Sequence, residues 1–338
     1  MFSHQRFARY RLQAAATAFL LLAAVILSGC GGREDSAAGN TVSGTMNVQA
    51  SDVSGNGTGT TKEAKFKKVS TVKGEIQIPA RPQRIVAEEY LGSLIALNVI
   101  PAGAPGLTLN NYYYKKALNG VADTGTYGKP SVERIAGLEP DLIITGNAET
   151  YEQLSKIAPT LVIPYGTLKN AREELEYFGT LLGKETEAKS WLADYDRRIA
   201  AAKSKVDAVL PANASFSIME SSDKNIWVYG DNFGRGGQPV YQALGRKPPA
   251  AISDELMKKQ WAEISAEMLG RYAGDYIIVT ANNKTAEDFR TDPVWSTLPA
   301  VKNGKLYVWP EERSWYYDPL AVLSQTEELA EWLVKTGK

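Results

Sequence analysis

The chain has 338 residues, 44% of them hydrophobic and 22% charged, with 38 basic residues balanced by 38 acidic ones. That length exceeds one small core and implies two domains, and the charge balance argues against nucleic acid as a partner. A single cysteine permits no intrachain disulfide, so the fold must rest on its core.

Arg6, Arg9 and Arg11 precede an apolar run from Ala14 to Leu27, and Ser28, Gly29 and Cys30 follow. A basic start, a short apolar stretch and small residues predict a secretory signal peptide over residues 1–29. The run is shorter than the roughly 20 residues a membrane span needs. Leu27-Ser28-Gly29-Cys30 resembles the lipobox of bacterial lipoproteins, which implies cleavage before Cys30, lipidation of its sulfur and an extracytoplasmic chain anchored to the cell membrane. Cleavage removes His4, three of the 38 basic residues and no acidic one, which leaves about three net negative charges. Zinc, copper and haem sites use imidazole or thiolate ligands. A transition metal must therefore arrive wrapped in its own chelator, or be held by carboxylate and phenolate oxygens; no direct metal site and no cofactor is expected. Residues 30–65 are rich in Gly, Ser, Thr, Asn and Ala and read as a lipidated flexible tether.

The body begins near Phe66. Thr71 to Ile78 reads as a strand or hairpin edge, Arg84 to Ala87 as a buried strand, Tyr90 to Leu97 as a helix and Val99 to Ala104 as a strand. Ser131 is placed to cap a helix through Leu138, and Asp141 to Thr145 is a continuous apolar strand of the parallel-sheet kind. A helix over Thr150 to Ile157 and a strand over Thr160 to Ile163 follow. Asn170 to Leu182 is helical with Gly183 as its stop. Glu185 to Leu210 is one amphipathic helix ended by Pro211, about 39 Å long at ~1.5 Å per residue. The second half repeats the logic: strands at Ser215 to Glu220 and Ile226 to Tyr229, a short helix from Gln238 to Leu244, a Ser265-capped helix to Tyr272, strands at Asp275 to Thr280 and Lys305 to Trp309, and a closing helix from Asp318 to Val334. The expected organisation is an α/β fold of two Rossmann-like lobes, 66–184 and 211–338, joined by one long bracing α-helix over 185–210, with a ligand cleft between the lobes. One internal echo supports the pairing. Glu133 stands eight residues before Asp141 and Glu267 eight before Asp275, and each Asp opens an apolar strand.

Several segments carry a family likeness: Arg84-Ile85-Val86-Ala87-Glu88-Glu89-Tyr90-Leu91-Gly92, Ser131-Val132-Glu133-Arg134-Ile135, Glu139-Pro140-Asp141-Leu142-Ile143-Ile144, Asn232-Phe233-Gly234-Arg235-Gly236-Gly237, Tyr272-Ala273-Gly274-Asp275-Tyr276-Ile277 and Trp315-Tyr316-Tyr317-Asp318-Pro319. From about residue 66 onward the chain resembles the siderophore-binding components of bacterial ABC importers, in the helical-backbone group of substrate-binding proteins. Its second-half motifs are similar to those of ferric hydroxamate binders of Gram-positive bacteria. The resemblance implies a monomeric receptor that captures a ferric siderophore and delivers it to an ABC permease dimer. A ferric catecholate, cobalamin or haem stands as the alternative cargo, and a surface enzyme or adhesive lipoprotein as the more distant one. An enzyme is disfavoured by the missing histidine base, cysteine nucleophile and Gly-x-Ser-x-Gly elbow.

A ferric trihydroxamate presents an oxygen-rich face and aliphatic arms, so its site needs a cationic donor and flat aromatic walls. Arg235 supplies the donor, flanked by glycines that let the backbone turn sharply and placed ahead of a helix start. Trp315, Tyr316 and Tyr317 lie in a loop between a strand and the last helix; the resemblance makes Trp315 the wall, with a phenol from Tyr316 or Tyr317. Phe233 stands where related binders often carry tryptophan. In the first lobe Tyr113 is the chosen member of the Tyr112-Tyr113-Tyr114 run. Tyr90, Tyr127 and Tyr151 lie beside strand ends, where ligands of open α/β sheets bind. By resemblance, Glu133 and Glu267 pair with arginines of the permease, one per lobe. As exposed carboxylates at helix N-termini they also suit the helix dipole.

Overall fold

The computed structural model describes residues 65–222 and 225–337. The expected signal peptide over 1–29, the lipidation site Cys30 and the tether as far as residue 64 lie outside the described residues. The described chain opens on an antiparallel hairpin, β1 (Phe66–Thr71) and β2 (Gly74–Pro79).

The first sheet takes β3 (Ile85–Ala87), β4 (Gly103–Ala104) and β5 (Ala122–Asp123), skips a small antiparallel pair of β6 (Gly125–Thr126) and β7 (Lys129–Pro130), and adds β8 (Leu142–Thr145) and β9 (Thr160–Val162). Its order is β5-β4-β3-β8-β9 and all its ladders are parallel. Side chains alternate between faces with period two. Ile85, Ala87, Leu142 and Ile144 join the larger core under the helices Leu91–Ala96 and Ala171–Leu182, while Val86 and Ile143 meet Ile135 and Leu154 on the opposite face. Both faces are covered, which is why the strands read as unbroken apolar runs.

The second sheet contains β10 (Phe216–Ser222), β11 (Asn225–Tyr229), β12 (Trp261–Ile264), β13 (Tyr276–Thr280) and β14 (Leu306–Trp309), in the order β12-β11-β10-β13-β14. Here β10, β13 and β14 run parallel, and β11 and β12 form an antiparallel edge. Tyr276 and Ile278 face one core and Ile277 and Val279 the other.

Between the sheets runs the helix Glu185–Asp207, about 34 Å at ~1.5 Å per residue. It stops three residues short of the expected Leu210, because Ala208–Leu210 tighten into a turn before Pro211. The closing helix Pro319–Thr336 packs along it, and Arg198 donates from Nε to Glu327 at 2.7 Å across the pair. The same closing helix touches the first-lobe helices Leu91–Ala96 and Ala171–Leu182. The long helix joins the two lobes as expected, and the closing helix adds a second brace beside it.

The echo seen in the sequence has a structural counterpart. Asp141 accepts from the amides of Gln83 at 2.7 Å and Arg84 at 2.9 Å, just before β3. Asp275 accepts from the Ser215 amide at 2.8 Å, just before β10. Each carboxylate clamps the start of its parallel neighbour, and in both lobes this pins the ladder whose far ends build the site. The echo is incomplete at the helices. Ser131 caps its helix through the Arg134 amide, whereas Ser265 makes no such cap and leads into a 3₁₀ turn over Ala266–Met268. The segment Gln238–Ala243 is π-helical, with Pro239 in its first turn.

Candidate functional site

A cavity of about 300 Å³ opens between the lobes. Its second-lobe wall is organised around Arg235, which adopts a left-handed backbone at φ 57° between Gly234 at 75° and Gly236 at 98°. Such a conformation costs a non-glycine residue of order 1 kcal/mol or more and persists only where packing holds it. The packing is explicit: a Cβ on Gly234 would lie 2.5 Å from the Trp315 carbonyl oxygen, and one on Gly237 would lie 2.1 Å from that of Gly230. The loop is pressed against the Trp315 segment with no room for side chains.

The Arg235 guanidinium donates from Nε to Glu220 of β10 at 2.9 Å and from Nη1 to the Phe233 carbonyl at 3.2 Å. Its Cζ lies 5.0 Å from the Trp315 ring centroid, 4.9 Å from Tyr229 and 5.6 Å from Phe233. Tyr229 also donates to Glu220, at 2.8 Å. The cation is therefore oriented by one carboxylate and three rings while donors remain for a ligand oxygen. Trp315, Tyr316 and Tyr317 all line the cavity, and Trp315 is 39% exposed.

The first-lobe wall grows from strand ends. Tyr90 follows β3 with φ 64°, so two of the six non-glycine residues with positive φ among the described residues face this cavity. Its hydroxyl donates to the Ile163 carbonyl at 3.0 Å, which leaves the ring as the exposed part. Tyr127 lines the same wall and donates to Glu89.

Three sequence-based assignments change. Tyr113 does not line the cavity: the Asn111 side chain accepts its amide at 2.8 Å and turns it so that its hydroxyl donates to the Arg313 carbonyl at 2.6 Å, tying the lobes together. Its neighbour Tyr114 lines the cavity instead. Tyr151 begins a short helix and lies under Lys73 of the hairpin turn, away from the cavity. Phe233 does not line the cavity: it stands behind Arg235, packed on Tyr229, Tyr165 and Trp261, and holds the guanidinium through its carbonyl.

Other residues complete the lining, of which Glu88 alone is marked in the sequence, by its place beside Tyr90 at a strand end. Tyr165, 45% exposed, sits just past β9 and meets Tyr317 edge-on at 5.3 Å, so the two lobes touch ring to ring across the cleft. Four carboxyl groups, Glu88, Glu89, Glu174 and Asp318, also line the cavity against the single guanidinium. Burial lifts Glu89 to about 7, with the Tyr127 bond lowering it and neighbouring Glu88 adding to the rise. Burial lifts Asp318 to about 6 against the amides of Ala321 and Leu320 that it accepts. Among the described residues no three His, Cys, Asp or Glu side chains converge to hold an ion.

Glu174, 2% exposed, accepts from the Ser93 hydroxyl. Burial raises its carboxyl from 4.5 to about 8, helped by Asp318, Glu89 and Glu173. A raised carboxyl favours the neutral form in the fold, so its contribution is complete below about pH 4.5 and lost as pH rises through 8. Glu174→Gln keeps an acceptor for Ser93 and removes the titration. Its melting temperature relative to wild type is expected to rise steadily between pH 5 and pH 8.5 in thermal scans; a difference constant with pH would show that Glu174 is ionised in the fold throughout.

Glu133 and Glu267 are exposed in the first turns of their helical segments, remote from the cavity lining. A bond with Ser265 holds Glu267 below the usual carboxylate range.

Residues 85–313 match the periplasmic binding protein family. The iron(3+)-hydroxamate-binding protein YxeB of Bacillus subtilis is 37% identical over 273 residues, covering 79% of this chain and 84% of its own. The iron(3+)-hydroxamate-binding protein FhuD of Bacillus subtilis is 34% identical over 334 residues, covering 96% and 98%. Among solved structures, the FhuD protein from S. pseudintermedius has a TM-score of 0.71 at 34% identity, covering 80% of this chain and 99% of that one.

Proposed function

The chain belongs to the periplasmic binding protein family, and we propose that it is an extracytoplasmic receptor that captures a ferric hydroxamate siderophore and delivers it to an ABC importer. The observation that carries this reading is the interlobe cavity, in which one oriented guanidinium stands among the rings of Trp315, Tyr90, Tyr127 and Tyr165. Hydroxamate oxygens can accept from Arg235, and the aliphatic arms can lie along the rings. The iron is cargo, recognised through its organic shell. Four carboxyl groups against one guanidinium disfavour a strongly anionic catecholate chelate, because burying like charges together raises the cost of binding. As a substrate-binding protein the chain needs no turnover chemistry. By this reading lipidation of Cys30 retains the chain at the membrane surface, the receptor acts as a monomer, and its domains are 66–184, 185–210 and 211–338.

The test is titration of the chain beginning at Cys30 with ferric trihydroxamate, ferric catecholate, cobalamin and haem. Saturable binding of the hydroxamate alone is expected, and binding of another cargo in preference would overturn the reading. For delivery, Glu133 and Glu267 are proposed to meet one permease subunit each. Replacing both with lysine is expected to leave chelate affinity unchanged and to reduce uptake in cells relying on this receptor at least tenfold. Unchanged uptake would remove the docking role.

A further inference from the structure

The main cavity has an annexe. A second hollow of about 270 Å³ lies within the first lobe and shares Glu88, Glu89, Tyr127 and Tyr165 with it. Past those four residues it is floored by Thr145, Asn147 and Thr150 at the ends of β8 and the following turn, and no lysine or arginine lines it. Gly146 keeps it open, since a Cβ there would meet the Glu89 side chain at 3.0 Å.

Glu88 is the informative group. It is only 6% exposed and has no ion pair among the described residues. Its Oε1 accepts from the Thr124 hydroxyl at 2.6 Å. Among the described residues no hydrogen bond reaches its Oε2, and Glu88 lines both hollows. Beside it Glu89 accepts from Tyr127 and from no other donor among the described residues. Glu88 is buried and Glu89 half-buried, and with no lysine or arginine lining the hollow burial holds both carboxyls toward the neutral form, from which an arriving cation would draw them. Behind Arg235 the protein provides a counter-charge itself, pairing Glu220 with the guanidinium. At Glu88 and Glu89 it does not.

We propose that the annexe receives a cationic arm of the bound chelate, with Glu88 and Glu89 holding an alkylammonium, so that the receptor selects ferric hydroxamates bearing a free primary amine over neutral ones. This rests on the hydroxamate reading above and adds the charge of the preferred cargo. The ammonium donates up to three hydrogen bonds, to Glu88 Oε2, to Glu89 and to the amide oxygen of Asn147 or the threonine hydroxyls. The rest of the chelate occupies the main cavity against Arg235 and Trp315, and the shared wall between the two hollows is where the arm passes.

The test uses two ferric linear trihydroxamates that differ only at one terminus, a free amine in one and its N-acetyl derivative in the other. Titrated into the wild-type chain at pH 7.5, the free amine is expected to bind at least tenfold more tightly. The ratio is expected to fall to within about threefold in Glu88→Gln/Glu89→Gln, chiefly because the free amine weakens. Thermal scans and circular dichroism spectra of the variant establish that it is folded. Equal binding of both chelates by wild type overturns the subsite and leaves the hydroxamate reading intact. A preference that persists undiminished in the folded variant also overturns it. Failure of both chelates to bind wild type overturns the hydroxamate reading, and the subsite with it.

Discussion

Arg235→Ala is expected to weaken ferric hydroxamate binding by between tenfold and a hundredfold, about 1.4 to 2.7 kcal/mol. Two effects add. The ligand loses a charge-assisted donor that was already oriented, so the ordering cost avoided in the wild type returns. Glu220, whose side chain is 10% exposed, loses the one ion pair it makes among the described residues and keeps the Tyr229 hydroxyl as donor. An unpaired buried carboxylate repels an oxygen-rich chelate and destabilises the loop. Arg235→Lys separates these effects. It keeps a charge near Glu220 but loses the planar fork, so it is expected to retain most of the thermal stability and lose most of the affinity. Titration and thermal melting of both variants check this. Wild-type affinity in Arg235→Ala would remove the guanidinium from the site.

Gly92→Ala is expected to lower stability by about 3 kcal/mol, or a melting temperature fall of about 6 °C or more. Gly92 lies in the first-lobe helix Leu91–Ala96, where it meets the start of the second-lobe closing helix. An added Cβ would sit 2.0 Å from Asp318 Oδ1 and 2.3 Å from its Cγ. That oxygen caps the closing helix by accepting from Leu320 at 3.0 Å and Ala321 at 3.1 Å, so the methyl group must displace the cap. The control is Gly137→Ala, also helical but with nothing within 4 Å of the new atom, which is expected to be neutral or stabilising by up to ~1 kcal/mol. Asp318→Ser shortens the capping side chain and should recover part of the Gly92→Ala loss, giving a positive coupling in a double-mutant cycle. Additive losses would mean that the helix and cap do not meet.

Much of this architecture could be read from residue pattern because burial and periodicity agree locally. The run Leu142–Thr145 is apolar at every position because both sheet faces are covered, and Asn170 and Gly183 bracket their helix as a cap and a left-handed stop. Arg235 stood out through its glycine neighbours, whose missing side chains the structure needs for close packing. The choice among Tyr112, Tyr113 and Tyr114 was not legible, since an irregular loop has no period to assign faces and the Asn111 turn decides which ring points inward. Tyr165 carried an available signal, as the first aromatic past the carboxyl end of β9, the same position logic that picked out Tyr90. Glu174 carried none. It sits among Arg172, Glu173 and Glu176 on what reads as a solvated helix face, and the Ser93 hydroxyl that it accepts from and the Asp318 charge that it feels are both distant in sequence. The edge strand Trp261–Ile264 was missed because its alternation is weak and half exposed, as antiparallel edges often are.

In the proposed function the cleft reads the organic shell of a chelate and never the metal itself. Calorimetric titration with the gallium(III) and iron(III) complexes of one trihydroxamate, beside iron(III) without chelator, tests it most directly. The two complexes are expected to bind one per chain with affinities within about threefold of each other, and unchelated iron to show no saturable binding. Tight stoichiometric uptake of unchelated iron, or indifference to both complexes, would contradict it.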